Sequence, residues 1–281
     1  MKISKLKYIP LFSVATIFTV AFIACSNDSN ADEDDTNNDN TSAELHAAFA
    51  EFDTENVTIL LNGTEVEIET NGMPNHTSPY WSNTTERSAV DPMGNTLTTE
   101  AADSNHPLFV EPTVTSFEKM APGNIDDFNG SYSLTVPQTP TKASTSTSTG
   151  LGAIGIAVSG AMIYNDEEGP NVPLDSAVGS LDYTAAHTGP QSYHYHLETK
   201  AWSNDDENLI GIMADGFFLY GRKCNATGTY PTDLDASGGH TSTTQHTSEE
   251  EYHYHIQNEL YLNQFYILFP GDYQGTPATI L

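Results

Sequence analysis

Alternation, not helical spacing, organises the apolar positions of this chain. In "VTILLNGTEVEIET", 57–70, Val57, Ile59 and Leu61 share one face before an Asn62-Gly63 pair, and Val66 and Ile68 share one after it. Successive strand side chains point to opposite faces, so this pattern predicts a hairpin with one buried side. "SYSLTVPQ", 131–138, reads as a further strand. "GIAVSGAMIYN", 155–165, and "GIMADGFFLYG", 211–221, are each two apolar runs around a pair, Ser159-Gly160 or Asp215-Gly216. Asp-Gly favours type I′ turns, whose two central residues both need positive φ. These hairpins are apolar on both faces, which predicts deep burial. "AELHAAFAEF", 43–52, has enough helical character for two or three turns. Residues 71–130 show no clear period, and 141–150 is a Ser/Thr-rich loop. The expected fold is mainly β and a single domain.

Blocks of this pattern recur in order. Gly155, Gly160 and Tyr164 match Gly211, Gly216 and Tyr220 at one fixed offset. "LDYTAAH", 181–187, and "LDASGGH", 234–240, both read Leu-Asp, four residues, His. "YHYHLE", 193–198, is followed by "YHYHIQ", 252–257. Three blocks in one order predict an internal two-fold repeat of hairpin plus YHYH strand. The expected organisation is a folded domain made of an N-terminal β portion, 45–150, and the repeated units, 151–281.

Period-two geometry separates the residues of each YHYH strand. Tyr193, Tyr195 and Leu197 share one face, and His194, His196 and Glu198 the other; Tyr252, Tyr254 and Ile256 oppose His253, His255 and Gln257 in the same way. The tyrosine face is the expected core side, which leaves the imidazoles toward water, a cleft or a polar cavity. Two His of one His-X-His lie ~6–7 Å apart at Cα, close enough to reach one ion. Imidazole with carboxylate suits Zn, Cu or Fe. If the halves pack about a pseudo-dyad, His194, His196, His253 and His255 could converge. His187, His240, Asp182 and Asp235 are further candidate ligands, the aspartates alternatively accepting a ligating ring's second N–H. The bland alternative is a half-exposed strand whose His and Tyr form a hydrogen-bond network without any ion. Glu198 stands where the other copy has Gln257; if the protein is an enzyme, Glu198 is the candidate base. No nucleophile elbow, phosphate loop, HExxH helix or dinucleotide fingerprint occurs, so catalysis has no independent support.

Charge and the chain's first residues narrow the setting. Lys2, Lys5 and Lys7 precede an apolar run, 8–24, in the layout of a secretory signal. The run ends Phe22-Ile23-Ala24-Cys25, similar to the lipobox of bacterial lipoproteins, although Phe22 stands where Leu is usual. An ordinary secretory signal or an uncleaved anchor are the alternatives. Residues 25–44 are acidic and polar, a flexible tether after a lipid-bearing Cys. The whole chain carries 9 Lys+Arg against 38 Asp+Glu, a formal −29. Losing the three leader lysines makes that −32, which excludes a nucleic-acid footprint and an anionic bilayer surface as partners. Membrane association is expected only through the N-terminal lipid, in the cell envelope at the outer membrane. Of the two cysteines, Cys224 is either a small buried hydrophobe or a thiolate ligand.

The paired YHYH motifs, the two hairpins and "NGMPNH", 71–76, resemble the YHYH family of secreted bacterial proteins, from about Val57 to Pro270. The resemblance implies a shared fold and no established reaction. Family members often carry Cys near the Leu-Asp blocks and the C-terminus; here "LDYTAAH", "LDASGGH" and "YILFPGDYQG" have none, so no role of those sulfurs carries over. The leading expectation is a His-rich metal-binding domain on an envelope lipoprotein. A metal-free module for a glycan or a protein partner is the alternative, with Trp81 and Trp202 as aromatic candidates. A His-based pH-responsive surface is a third idea.

Overall fold

The computed structural model describes residues 44–75, 88–90, 96–98, 130–176, 181, 182, 184–189, 192–198, 203, 205–263 and 265–281, with backbone alone for 88–90 and 96–98. The leader 1–24, Cys25, most of the tether, His76, His106, Trp81 and Trp202 lie outside the described residues. Among the described residues no helix is long and apolar enough to cross a membrane.

The domain is mainly β. Strands β1 (Val57–Asn62), β2 (Glu65–Thr70) and β5 (Tyr132–Pro137) form an antiparallel three-stranded sheet. Its apolar positions Val57, Val66, Ile68, Leu134 and Val136 are buried, as alternation predicts. Strands β3 (Ser88–Val90) and β4 (Thr96–Thr98) pair with each other. Where helical turns were expected over 43–52, the chain makes only a 3-10 turn, Ala47–Glu51. Ala48 N–H donates to the side chain of His46, which caps it at 3.2 Å.

Eight strands form the main sheet. They are β6 (Ala153–Ala157), β7 (Met162–Tyr164), β10 (Ala186–Gly189), β11 (Ser192–Tyr195), β12 (Leu209–Met213), β13 (Phe218–Tyr220), β14 (Gly239–Ser242) and β15 (Glu251–His255). A small hairpin of β8 (Glu167–Gly169) and β9 (Val172–Pro173) sits apart from it. The main order is β10-β11-β7-β6-β12-β13-β15-β14. Outward from the centre both sides carry the same pairings. β6 with β7 and β12 with β13 are antiparallel, β7 with β11 and β13 with β15 are parallel, and β11 with β10 and β15 with β14 are antiparallel. At the centre β6 meets β12 antiparallel, with Ile156 opposite Ile212. A Cβ on Gly155 would lie 2.7 Å from the Ile212 carbonyl oxygen, and one on Gly211 would run into the Ile156 carbonyl. The glycines allow this close approach of two backbones.

The two hairpin turns differ from the expected type I′. Only Gly160 (φ +101) and Gly216 (φ +88) have positive φ; Ser159 and Asp215 do not. Gly160 N–H donates to Ala157 O and Gly216 N–H to Met213 O, and the closing bonds are Ala157 N–H to Ala161 O and Met213 N–H to Phe217 O. These are three-residue loops, a tight turn followed by a left-handed glycine, the second commonest hairpin design. Each turn also joins the two sheets. Asp53 N–H donates to Val158 O and Thr70 Oγ1 to Gly160 O, while Val136 and Pro140 crowd Gly216.

The tyrosine face is core, as expected. Tyr193, Tyr195 and Tyr254 are fully buried, and each buried ring contributes on the order of 2–3 kcal/mol. Buried phenols need partners. Tyr254 donates to Asp215 at 2.6 Å, Tyr195 meets Ser159 at 3.3 Å, Tyr193 donates to Asp182 at 2.5 Å and Tyr252 to Asp235 at 2.8 Å.

Two candidate metal centres

Parallel pairing demands a crossover between the hairpin and its YHYH strand. The first crossover leaves β7 at Tyr164 and the second leaves β13 at Tyr220, and each returns through the Leu-Asp block before its YHYH strand. In both blocks Asp builds a turn. Asp182 Oδ1 accepts from Thr184 N–H at 2.8 Å; Asp235 Oδ1 accepts from Ser237 N–H at 3.0 Å and Gly239 N–H at 3.1 Å. The turn delivers the following His onto the strand beside YHYH, where His187 pairs with His194 and His240 with His253. Directly opposite residues share a face. One His-X-His and one cross-strand His therefore converge in each half.

All six imidazoles are buried, which corrects the picture of a half-exposed polar face. They form two groups, not one. His187, His194 and His196 bring ligand atoms within 4.8 Å of one another, and so do His240, His253 and His255 together with Cys224. β7, β6, β12 and β13 lie between β11 and β15, so the four YHYH imidazoles do not meet in one cavity. The expected shared site is replaced by two separate ones, because the halves join edge to edge through β6 and β12 instead of face to face.

In the second group the donors have fixed tautomers. His253 Nδ1 faces the Glu251 carbonyl at 3.0 Å, and His255 Nδ1 faces the Gly221 carbonyl at 2.7 Å. A carbonyl only accepts, so both Nδ1 atoms carry hydrogen and both neutral rings present a lone pair at Nε2. Those two Nε2 atoms face each other at 3.1 Å. Two lone pairs at that distance repel unless a cation lies between them. Burial pushes His253 down to about 3, with the neighbouring His255 adding to the shift, and burial also lowers His255, so a bound proton is disfavoured at neutral pH. Two nitrogens on a tetrahedral zinc stand ~3.3 Å apart at ordinary bond lengths, so the separation fits an ion. His240 Nδ1 donates to Asp233 at 2.9 Å, the carboxylate contact that orients a ligating ring. Ser242 Oγ lies 3.2 Å from His240 Nε2 and 3.4 Å from Cys224 Sγ. Burial raises the Cys224 thiol, but Ser242 and His240 among its neighbours outweigh it and the net shift is downward.

The first group repeats the arrangement of three imidazoles, with Glu168 beside two of them where the second group has Cys224. His194 Nδ1 faces the Ser192 carbonyl at 3.3 Å, and His196 Nδ1 donates to the Asn165 carbonyl. Tyr164 stacks on His194 at 3.8 Å and 12°. Glu168 Oε1 stands 3.0 Å from His187 Nε2 and 3.4 Å from His196 Nε2. Burial pushes His196 down to about 4. Its Nε2 lone pair therefore faces a carboxylate oxygen, again acceptor against acceptor. The His187 hydrogen bond holds the Glu168 carboxyl below its usual range.

The remaining candidates are placed elsewhere. Glu198 is buried beside Arg222, whose Nε lies 3.1 Å from both its oxygens, and it accepts from Ser203 Oγ at 2.8 Å. Its surroundings provide a buried ion pair with Arg222. Asp182 and Asp235 point to the tyrosine hydroxyls and the turn amides, and the carboxylate that meets an imidazole Nδ1 is Asp233. Sequence reading missed Glu168 and Asp233 and left Cys224 undecided. Glu168 and Cys224 each follow their hairpin tyrosine by four positions, so extending the repeat offset would have paired them. Their different residue types hide the match.

The fold and its sites define a mainly β protein with two buried, histidine-lined clusters able to hold metal ions. Residues 133–233 match the family model described as YHYH protein, which supports assignment to that family. The matched stretch contains the whole first cluster and Cys224, and it ends before His240. No curated protein and no solved structure matches the chain.

Proposed function

We propose that the protein binds transition-metal ions at both histidine clusters, one ion in each, on a domain held at the cell envelope by an N-terminal lipid. The single observation that carries the reading is the 3.1 Å approach of His253 Nε2 to His255 Nε2, with both Nδ1 atoms committed as donors to main-chain carbonyls. A hydrogen-bond network without an ion would place a donor against an acceptor there. Zn, Cu and Fe all suit imidazole-rich sites. The test is elemental analysis of untagged protein purified without chelator. Two equivalents of metal are expected, falling to one in His194→Ala/His196→Ala and to one in His253→Ala/His255→Ala. Folded protein that takes up no metal under any loading condition would overturn the reading, and a glycan or protein partner bound equally well with chelator present would favour the metal-free module.

The envelope anchor is supported by the leader and by the Ala24-Cys25 junction. Palmitate labelling of the expressed chain, lost in Cys25→Ser, tests it; cleavage without lipid incorporation would point to an ordinary secretory signal.

A further inference from the structure

Resting on that metal-binding reading, we infer that the two centres take different metals: the second is a thiolate site for a thiophilic ion such as Zn²⁺ or Cu⁺, and the first is a carboxylate site for a harder ion such as Fe²⁺ or Mn²⁺. One position in the fold distinguishes the two centres. Both crossovers bend back over their own histidines four residues after the hairpin tyrosine, and that slot holds Glu168 in one half and Cys224 in the other. The three imidazoles are matched in placement and in tautomer for the YHYH pair, so the fourth donor is the main chemical difference between the centres. Glu168 reaches two imidazole nitrogens with one oxygen, at 3.0 and 3.4 Å. Cys224 is fully buried, and its sulfur belongs to the set of atoms within 4.8 Å that includes His240, His253 and His255.

Softness of the donor then decides the ion. Thiolate selects Zn and Cu(I), while carboxylate accommodates Mn and Fe alongside imidazole. Geometry around Cys224 supports a ligand and not an inert core thiol. The Cys224 sulfur touches Ser242 Oγ at 3.4 Å, and that hydroxyl reaches His240 Nε2 at 3.2 Å, so the thiol is tied into the imidazole cluster by polar contacts. A structural cysteine needs no such company. The outer shells differ as well. Asp233 adds a second negative group behind His240, whereas Tyr164 stacks flat on His194 in the first centre.

Cobalt(II) is the probe, titrated into the full untagged chain. Two equivalents are expected to bind, with a sulfur-to-cobalt charge-transfer band in the near ultraviolet that grows with one equivalent only. Cys224→Ser should abolish the band, Cys25→Ser should leave it unchanged, and Glu168→Gln should keep it while weakening the other equivalent by about tenfold or more. Cadmium added to the cobalt-loaded protein should remove the band before it displaces the second cobalt. A cadmium-113 NMR spectrum of the unmutated chain guards against misfolding of a variant: two resonances are expected, one far downfield where sulfur ligation places it. Two bound ions with no thiolate band and two nitrogen-oxygen-type resonances would overturn the inference and leave the metal-binding reading standing. Failure to bind any cobalt or cadmium would overturn both.

Discussion

The Tyr254 hydroxyl donates to Asp215 across 2.6 Å, joining the second YHYH strand to the turn of the hairpin that precedes it. Asp215 is buried, and it also accepts from Gly275 N–H at 2.9 Å and from Phe217 N–H at 3.3 Å. Burial raises the Asp215 carboxyl pKa, with these hydrogen bonds opposing the shift. Tyr254→Phe leaves a buried acceptor short of its strongest donor, which costs about 1–3 kcal/mol. Tyr195→Phe, whose partner Ser159 is neutral and 3.3 Å away, should cost less. Urea unfolding of the two variants side by side checks the order.

Glu198 and Arg222 should behave as a structural pair. Glu198→Ala strands a guanidinium that is 8% exposed, although Asp205 Oδ1 remains 3.1 Å from Arg222 Nη1. Breaking a buried pair from one side costs roughly 3–5 kcal/mol, and the remaining Asp205 contact puts the expected loss at the lower end. Chemical denaturation measures it, and an unchanged unfolding midpoint would refute the structural role.

Asp206 gives the fold a pH-dependent weakness. Burial pushes its carboxyl up to about 6, with Glu198 and Glu207 adding to the rise. The folded state therefore holds this proton more tightly than the unfolded chain does. The contribution of the residue to stability is fullest below the unfolded value of 3.8 and is lost as pH rises through about 6. Asp206 Oδ1 accepts from Asn208 N–H at 3.0 Å, a bond an asparagine can also make. Asp206→Asn should match the parent near pH 4 and melt at a higher temperature above pH 6.5. A melting difference that does not vary with pH would contradict the assignment.

Gly211→Ala tests the central junction. The added methyl carbon would meet the Ile156 carbonyl and lie 2.8 Å from Ala157 Cα, and backbone cannot move aside as a flexible side chain can. A loss of roughly 1–3 kcal/mol or more is expected. Gly150→Ala, which meets nothing within 4 Å, serves as the control and should stay within about 0.5 kcal/mol of the parent.

Metal should stabilise the native state measurably. An ion at a hundredfold excess over its Kd adds about 2.7 kcal/mol for a single site that the unfolded chain lacks. Differential scanning calorimetry should show a higher melting temperature with zinc, reversed by chelator, and a smaller rise in His253→Ala/His255→Ala.

Much of the second half of the fold was legible because alternation and spacing are strict there. The Tyr-in arrangement of 193–195 and 252–254 follows from period two alone, and the buried hairpins follow from their doubly apolar runs. The loop type at Ser159-Gly160 was not legible, since a three-residue loop and a type I′ turn share the same glycine. The turn-building contacts of Asp182 and Asp235 were hidden for a similar reason: a carboxylate two residues before a free amide builds a turn as readily as it holds a metal. Sheet order was hidden because a long crossover leaves the partner of a parallel strand unspecified. Glu168 and Cys224 escaped notice because a search for repeats looks for likeness, whereas this slot differs between the two halves.

Five strand-to-strand steps of ~4.8 Å separate the two YHYH strands, which puts the clusters on the order of 24 Å apart. Cooperative bimetallic hydrolysis needs its ions ~3.5–4 Å from each other so that a single bridging oxygen touches both. No molecule the size of a phosphate ester or a peptide bond can be shared across this sheet. An ion held in either cluster would therefore act as a mononuclear centre.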